Sequence, residues 1–148
     1  MISRLALGLC GIGVWFGLCI NPAPPKPIVH VRLFQTGQQA IRPSQHHPAL
    51  EYLADFPLID QVPLSQAQQD SLYYLIAKAE LFNYELMKSC PFEPIWAMEY
   101  GVDSSDSHWV LLSVSPCSKA LFVEDSVHTW AVIDPHSPLE ATIKQWGG

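Results

Sequence analysis

The chain has 148 residues, 49% of them hydrophobic and 15% charged, which leaves room for one domain with a real core and excludes a disordered polyelectrolyte. Much of the hydrophobic excess lies in the first twenty residues, so the remainder is an ordinary globular mixture and not a polytopic membrane protein. From Ile28 onward six Lys/Arg stand against fourteen Asp/Glu, a balance of −8, which repels phosphate backbones and anionic headgroups at long range and argues against nucleic acid as a partner.

Met1 to Ile20 places one basic residue, Arg4, before a charge-free run from Leu5 to Ile20. A run of about 16 apolar residues after a basic start reads as an export signal or a short membrane anchor, since a comfortable span takes about 20. Leu18 before Cys19 and Leu9 before Cys10 do not suit lipoprotein processing. We therefore read residues 1–20 as a signal peptide or anchor that puts the rest of the chain outside the cytoplasm, membrane-bound if uncleaved and periplasmic or secreted if cleaved. Residues 21–27 hold four prolines and form an extended linker.

Residues 28–148 read as a single α+β domain. Ile28 to Gln35 alternates as a strand does, Thr36 to Pro48 is a polar loop, and Ala49 to Phe56 reads as a short helix ended by Pro57. Ser65 followed three residues later by Gln68 is a capping box, and Leu72, Leu75, Ile76, Ala79 and Phe82 then recur at helical spacing, which predicts one long helix to about Phe82. Two alternating runs, Ile95 to Val102 and Trp109 to Val114, flank Asp103-Ser104-Ser105-Asp106-Ser107 and predict a hairpin, because short Asp and Ser side chains bond local backbone. Ala120 to Glu124 and His128 to Ile133 predict further short strands. Ser137-Pro138-Leu139-Glu140 repeats the capping signature and opens a helix to Trp146.

Four cysteines divide two and two, with Cys10 and Cys19 in the apolar leader and Cys90 and Cys117 in the folded part. Export would carry the second pair into an oxidising compartment, where it bonds; closing that loop stabilises the fold by roughly 3–4 kcal/mol in the chain-entropy model. The block Cys90 to Cys117 resembles a group of small uncharacterised bacterial envelope proteins with a Cys-Phe-x-Pro-Arg-His stretch, an alternating strand and a terminal Cys-x-x-Cys. The matching residues are Cys90, Phe92, Pro94, Ala97, Tyr100 and Cys117; Ile95-Trp96 replaces the Arg-His pair and Val114 the first cysteine of the final motif. The resemblance implies a hairpin and an envelope location and brings no activity with it.

Candidate chemistry is sparse. His46, His47, His108, Asp134 and His136 are metal-ligand types without ligand spacing on one element, so no metal or cofactor is expected. A cysteine nucleophile would need a base, but His108 lies at the far end of the strand leading to Cys117. Asp103, Asp106, Glu124 and Asp125 would make a calcium-binding edge only if their loops met. The aromatics Trp96, Tyr100, Trp109 and Trp130 are core material that would form a binding surface wherever they reach the outer face of the sheet.

The expected architecture is α+β, a small mostly antiparallel sheet of four to five strands with one long helix on a face and a short C-terminal helix. The expected role is a non-enzymatic accessory or protein-binding domain on the outer side of a membrane, contacting another membrane or envelope protein. The alternative is a small envelope hydrolase with a loop-built site around His46, His47 and His136.

Overall fold

The computed structural model describes residues 27–86, 88–102 and 105–146; the leader and most of the proline-rich linker lie outside them. The strands are β1 (His30–Thr36), β2 (Glu51–Leu53), β3 (Phe56–Val62), β4 (Phe82–Asn83), β5 (Trp96–Gly101), β6 (His108–Leu112), β7 (Lys119–Glu124) and β8 (Val127–Ile133); the helices are α1 (Gln66–Ile76) and α2 (Pro138–Trp146). The strands form one sheet in the order β2-β3-β1-β5-β6-β7-β8-β4, and every pairing is antiparallel. Among the described residues no helix is long and apolar enough to cross a membrane.

This corrects the expectation of four to five strands beneath one long helix. Two local choices make the difference. Ala54 and Asp55 both have positive φ, 47° and 69°, the two-residue turn whose twist matches that of the flanking strands. Residues 49–56, expected as a helix, therefore become the β2–β3 hairpin, with Leu53 opposite Phe56. Neither Ala nor Asp is the glycine that usually announces such a turn.

The second choice concerns α1. It begins as expected, with Ser65 and Gln68 forming both halves of the capping box, but it ends at Ile76, and a single 3-10 turn over Ala79–Leu81 follows. Phe82 then joins the sheet opposite Ile133 and meets Phe122 edge-on at 5.1 Å between centroids. A buried aromatic paired at a sheet edge gains ladder bonds and a ring contact that one more helical turn would not supply.

Register sorts the side chains onto two faces. Val31, Leu33, Trp96, Met98, Val110, Leu112, Ala120, Ala131 and Ile133 share one face and pack against Leu72 and Ile76 of α1 and Leu139 and Ile143 of α2. The opposite face carries Phe34, Ala97, Leu111 and Leu121 under Phe56 and Leu58. The second core exists because the register of β1 against β3 shifts between Phe34 and Thr36: a bulge bends the strand and brings the β2–β3 hairpin over that face.

Candidate functional site

Cys90 and Cys117 form a disulfide with Cα atoms 6.0 Å apart. It fixes the segment leading to β5 against the start of β7, where the Lys119 ammonium donates to the Cys90 carbonyl at 2.6 Å. Two residues on, Phe92 stands edge-on to Phe56 at 5.7 Å and to Trp130 at 4.8 Å between centroids. The clasp thus holds a ladder of three rings, and Trp130, at its outer end, remains 41% exposed.

The four aromatics expected as a binding surface divide between the faces. Trp96 is 2% exposed beneath the helices, and its indole N–H has no hydrogen-bond partner among the described residues. Tyr100, on the same face, is partly buried between Tyr73 and His108; burial, then nearby Glu124, pushes its hydroxyl up to about 12. Trp109 lies on the opposite face against Phe34 at 5.7 Å. Trp130 shares that face, two strands away across β7.

Trp130 also lies on the open edge of the sheet. The Ile133 N–H donates to Ser118 on the β7 side and the Asp134 N–H to Leu81 on the other. Main-chain direction alternates along a strand, so Val132, Trp130 and His128 present N–H and C=O outward. β4 covers only Val132 and Ile133; the outward groups of Trp130 and His128 have no main-chain partner among the described residues. The Asn83 side chain accepts from the N–H groups of Glu85 and Leu86 at 2.9 and 3.0 Å, a local turn that takes the chain off the edge.

Residues 126–130 are all exposed. Beside them a hollow of about 210 Å³ is lined by Leu86, Lys88, Lys119, Trp130, Ala131 and Val132. At the other sheet edge β2 has only three residues, opposite Phe56–Leu58, and where β3 runs on past it the edge carries the charge of exposed Asp60. The sequence Val127-His128-Thr129-Trp130 has no proline, lysine or bulge to do the same.

The residues weighed for catalysis occupy other places. His46 stacks on Tyr52 with centroids 3.6 Å apart, contacts the Ile41 carbonyl at 2.9 Å and faces Asp55 at 3.5 Å. The His47 ring accepts from the Ala49 N–H at 3.2 Å. His136 lies in the turn before α2, where its N–H donates to Asp134. Among the described residues these histidines share no hydrogen bond, ion pair or ring contact with one another. Asp106 and Glu124 meet His108 on opposite ring nitrogens, at 2.8 and 3.2 Å, so the two carboxylates sit either side of an imidazole; Asp103 lies outside the described residues.

One polar centre departs from the capping pattern in the sequence. Ser137 caps α2 through the Glu140 N–H at 3.3 Å, but the Glu140 side chain does not return to the cap. Its carboxylate, 2% exposed, accepts from the Ser115 N–H at 3.1 Å, from the Ser115 and Ser118 hydroxyls and from Lys144 at 2.7 Å. Burial pushes this carboxyl up, and the bonds from Lys144, Ser115 and Ser118 overcome it and hold it at about 2. Three of these four bonds tie α2 to the loop carrying Cys117 and the fourth comes from Lys144 one turn on in α2, which makes Glu140 a structural fastening. The same balance recurs at Glu99, where burial is outweighed by Arg32 and Ser107 and the carboxyl lies below its usual value.

Comparison with protein-family models, with curated proteins and with solved structures finds no match to this chain.

Proposed function

We propose that the protein is a non-enzymatic binding domain, held on the outer side of a membrane by residues 1–20, that contacts another protein through the open edge of β8. The observation that carries this reading is the coincidence on one strand of main-chain groups at His128 and Trp130 that are unpaired among the described residues with an exposed tryptophan braced from beneath by Phe92. Main-chain groups supply affinity in strand addition and flanking hollows supply selectivity, and rigid tryptophans are favoured anchors of protein interfaces. The Cys90–Cys117 bond supports an oxidising location, and the likeness of this block to small envelope proteins agrees with it.

The reading is tested with a photoreactive amino acid placed at His128, and separately at exposed Asp60 on β3, in the full chain in its native membrane. A protein adduct at His128 and none at Asp60 is expected. No adduct at His128, or equal adducts at both positions, would overturn it.

A further inference from the structure

The open edge of β8 is complementary to itself. We propose that the protein it receives is a second copy of this chain, paired β8 to β8 across a twofold axis at Thr129; the inference rests on the reading of this edge as a docking site and names its occupant.

Four features of the edge lead to this. The outward main-chain groups belong to His128 and Trp130, one residue either side of Thr129. An antiparallel strand related by a twofold axis at Thr129 sets His128 opposite Trp130 of the second copy, and Trp130 opposite its His128. Each of these becomes a hydrogen-bonded pair in which both N–H and both C=O groups are used, so the edge is satisfied with no group left over. The usable length is also symmetric. β4 closes the edge at Val132, and β8 turns back through Asp125 and Ser126. The axis at Thr129 brings the β7–β8 turn of each copy against the end of β4 of the other, where the incoming strand has already bent away.

Side chains fit the same register. Thr129 meets its own symmetry mate on the helix-bearing face, and His128 lies beside Trp130 on the other; threonine pairs and aromatic pairs are both favourable across strands. Charge agrees as well. The domain is strongly acidic, yet the hollow at the Val132 end of the edge holds Lys88 and Lys119, neither in an ion pair among the described residues. The turn at the other end of β8 carries Asp125; Glu124, which ends β7, meets His108 on the helix-bearing face. Antiparallel pairing turns the acidic end of one copy towards the basic end of the other. Five paired residues per copy make a small interface of the transient class, and a shared membrane would raise the local concentration that such a contact needs.

Cysteine trapping in the full chain in its native membrane tests the register. Thr129→Cys places two thiols on the axis at a non-hydrogen-bonded pair, with Cβ atoms about 4.5–5.5 Å apart, close to disulfide reach. Val127→Cys places them about 13 Å apart along the strands. A species of twice the chain mass is expected for Thr129→Cys and not for Val127→Cys, with the 129–129 bond identified by peptide mapping to separate it from bonds through Cys10 or Cys19. No 129–129 bond, or equal trapping of both variants, would overturn the self-pairing. If the photoreactive probe at His128 then yields an adduct of another mass, the binding reading stands with a different partner; if it yields none, both fall.

Discussion

Glu140→Gln removes a charge and almost no volume, so it isolates the electrostatic worth of the fastening between α2 and the Ser115–Ser118 loop. A carboxyl moved from 4.5 to about 2 corresponds to at most about 3 kcal/mol of preference for the ionised form in the folded state. Lys144 is half exposed and its share is screened by water, so about 2 kcal/mol is the expected loss for the glutamine variant at neutral pH. The glutamine amide would also point a donor at hydroxyl donors, which keeps the loss from being smaller. With a urea slope of about 1–2 kcal/mol/M for a domain of this size, the unfolding midpoint read by tryptophan fluorescence falls by about 1–2 M. The sign with pH follows from the direction of the shift. The folded-state value lies below the unfolded one, so the stabilisation is complete above about 4.5 and is lost as pH falls towards 2. Wild type and variant therefore converge in acid. A variant with the wild-type midpoint at pH 7, or a gap that persists unchanged at pH 2, would refute the reasoning.

Reducing the Cys90–Cys117 bond, which closes a loop of 27 residues, lowers stability by roughly 3–4 kcal/mol in the chain-entropy model; equal urea midpoints with and without reductant would contradict this. At Gly101 an added Cβ would fall 1.7 Å from the Asp106 carbonyl oxygen, a backbone atom that cannot swing aside, so Gly101→Ala costs about 3 kcal/mol or more and displaces the β5–β6 turn, visible as a large drop in thermal midpoint. Leu72→Ala, at a site with no exposure, costs about 2–5 kcal/mol. Trp130→Ala removes a ring that is 41% exposed and costs only about 1 kcal/mol, a small fall in midpoint that leaves the domain folded, while abolishing the His128 adduct; an adduct that survives would contradict the docking role.

What the sequence made legible was set by local chemistry. The hairpin of β5 and β6, the strands β7 and β8, the caps at Ser65 and Ser137 and the pairing of Cys90 with Cys117 all follow from alternation, short-range hydrogen bonding or the presence of just two cysteines in residues 28–148. The missing strands depend on longer-range terms. Ala54 and Asp55 take a left-handed turn only because Phe56 and Leu58 gain a second core against Phe34 and Leu111, and no signal within residues 49–56 records that gain. Phe82 fits the helical stripe of Leu72 and Ile76 as well as it fits a strand, and its partners Phe122 and Ile133 lie 40 or more residues away. Trp130 was visible as an aromatic, but its exposure follows from strand order, which composition does not encode. Glu140 matched a capping box because the pattern is the same whether the carboxylate turns back to its own helix or out to Ser115.

The open edge and the disulfide have one cause. Phe82 ties the chain to the outer side of β8, yet eight residues later Cys90 must reach Cys117, which precedes β7 on the inner side of the same strand. A longer β4 would carry the chain along β8 towards Val127 and away from Cys117. The Asn83 turn resolves the conflict: it ends β4 after two residues and sends Leu86 and Lys88 across the edge to the face where Phe92 lodges against Trp130. The crossing leaves the outward groups of Trp130 and His128 uncovered among the described residues and, in the same movement, sets the ring that stiffens Trp130. Lengthening β4 to protect the edge would pull Cys90 from its partner, so in this topology closing the clasp and exposing the β8 edge are two results of one path of the chain.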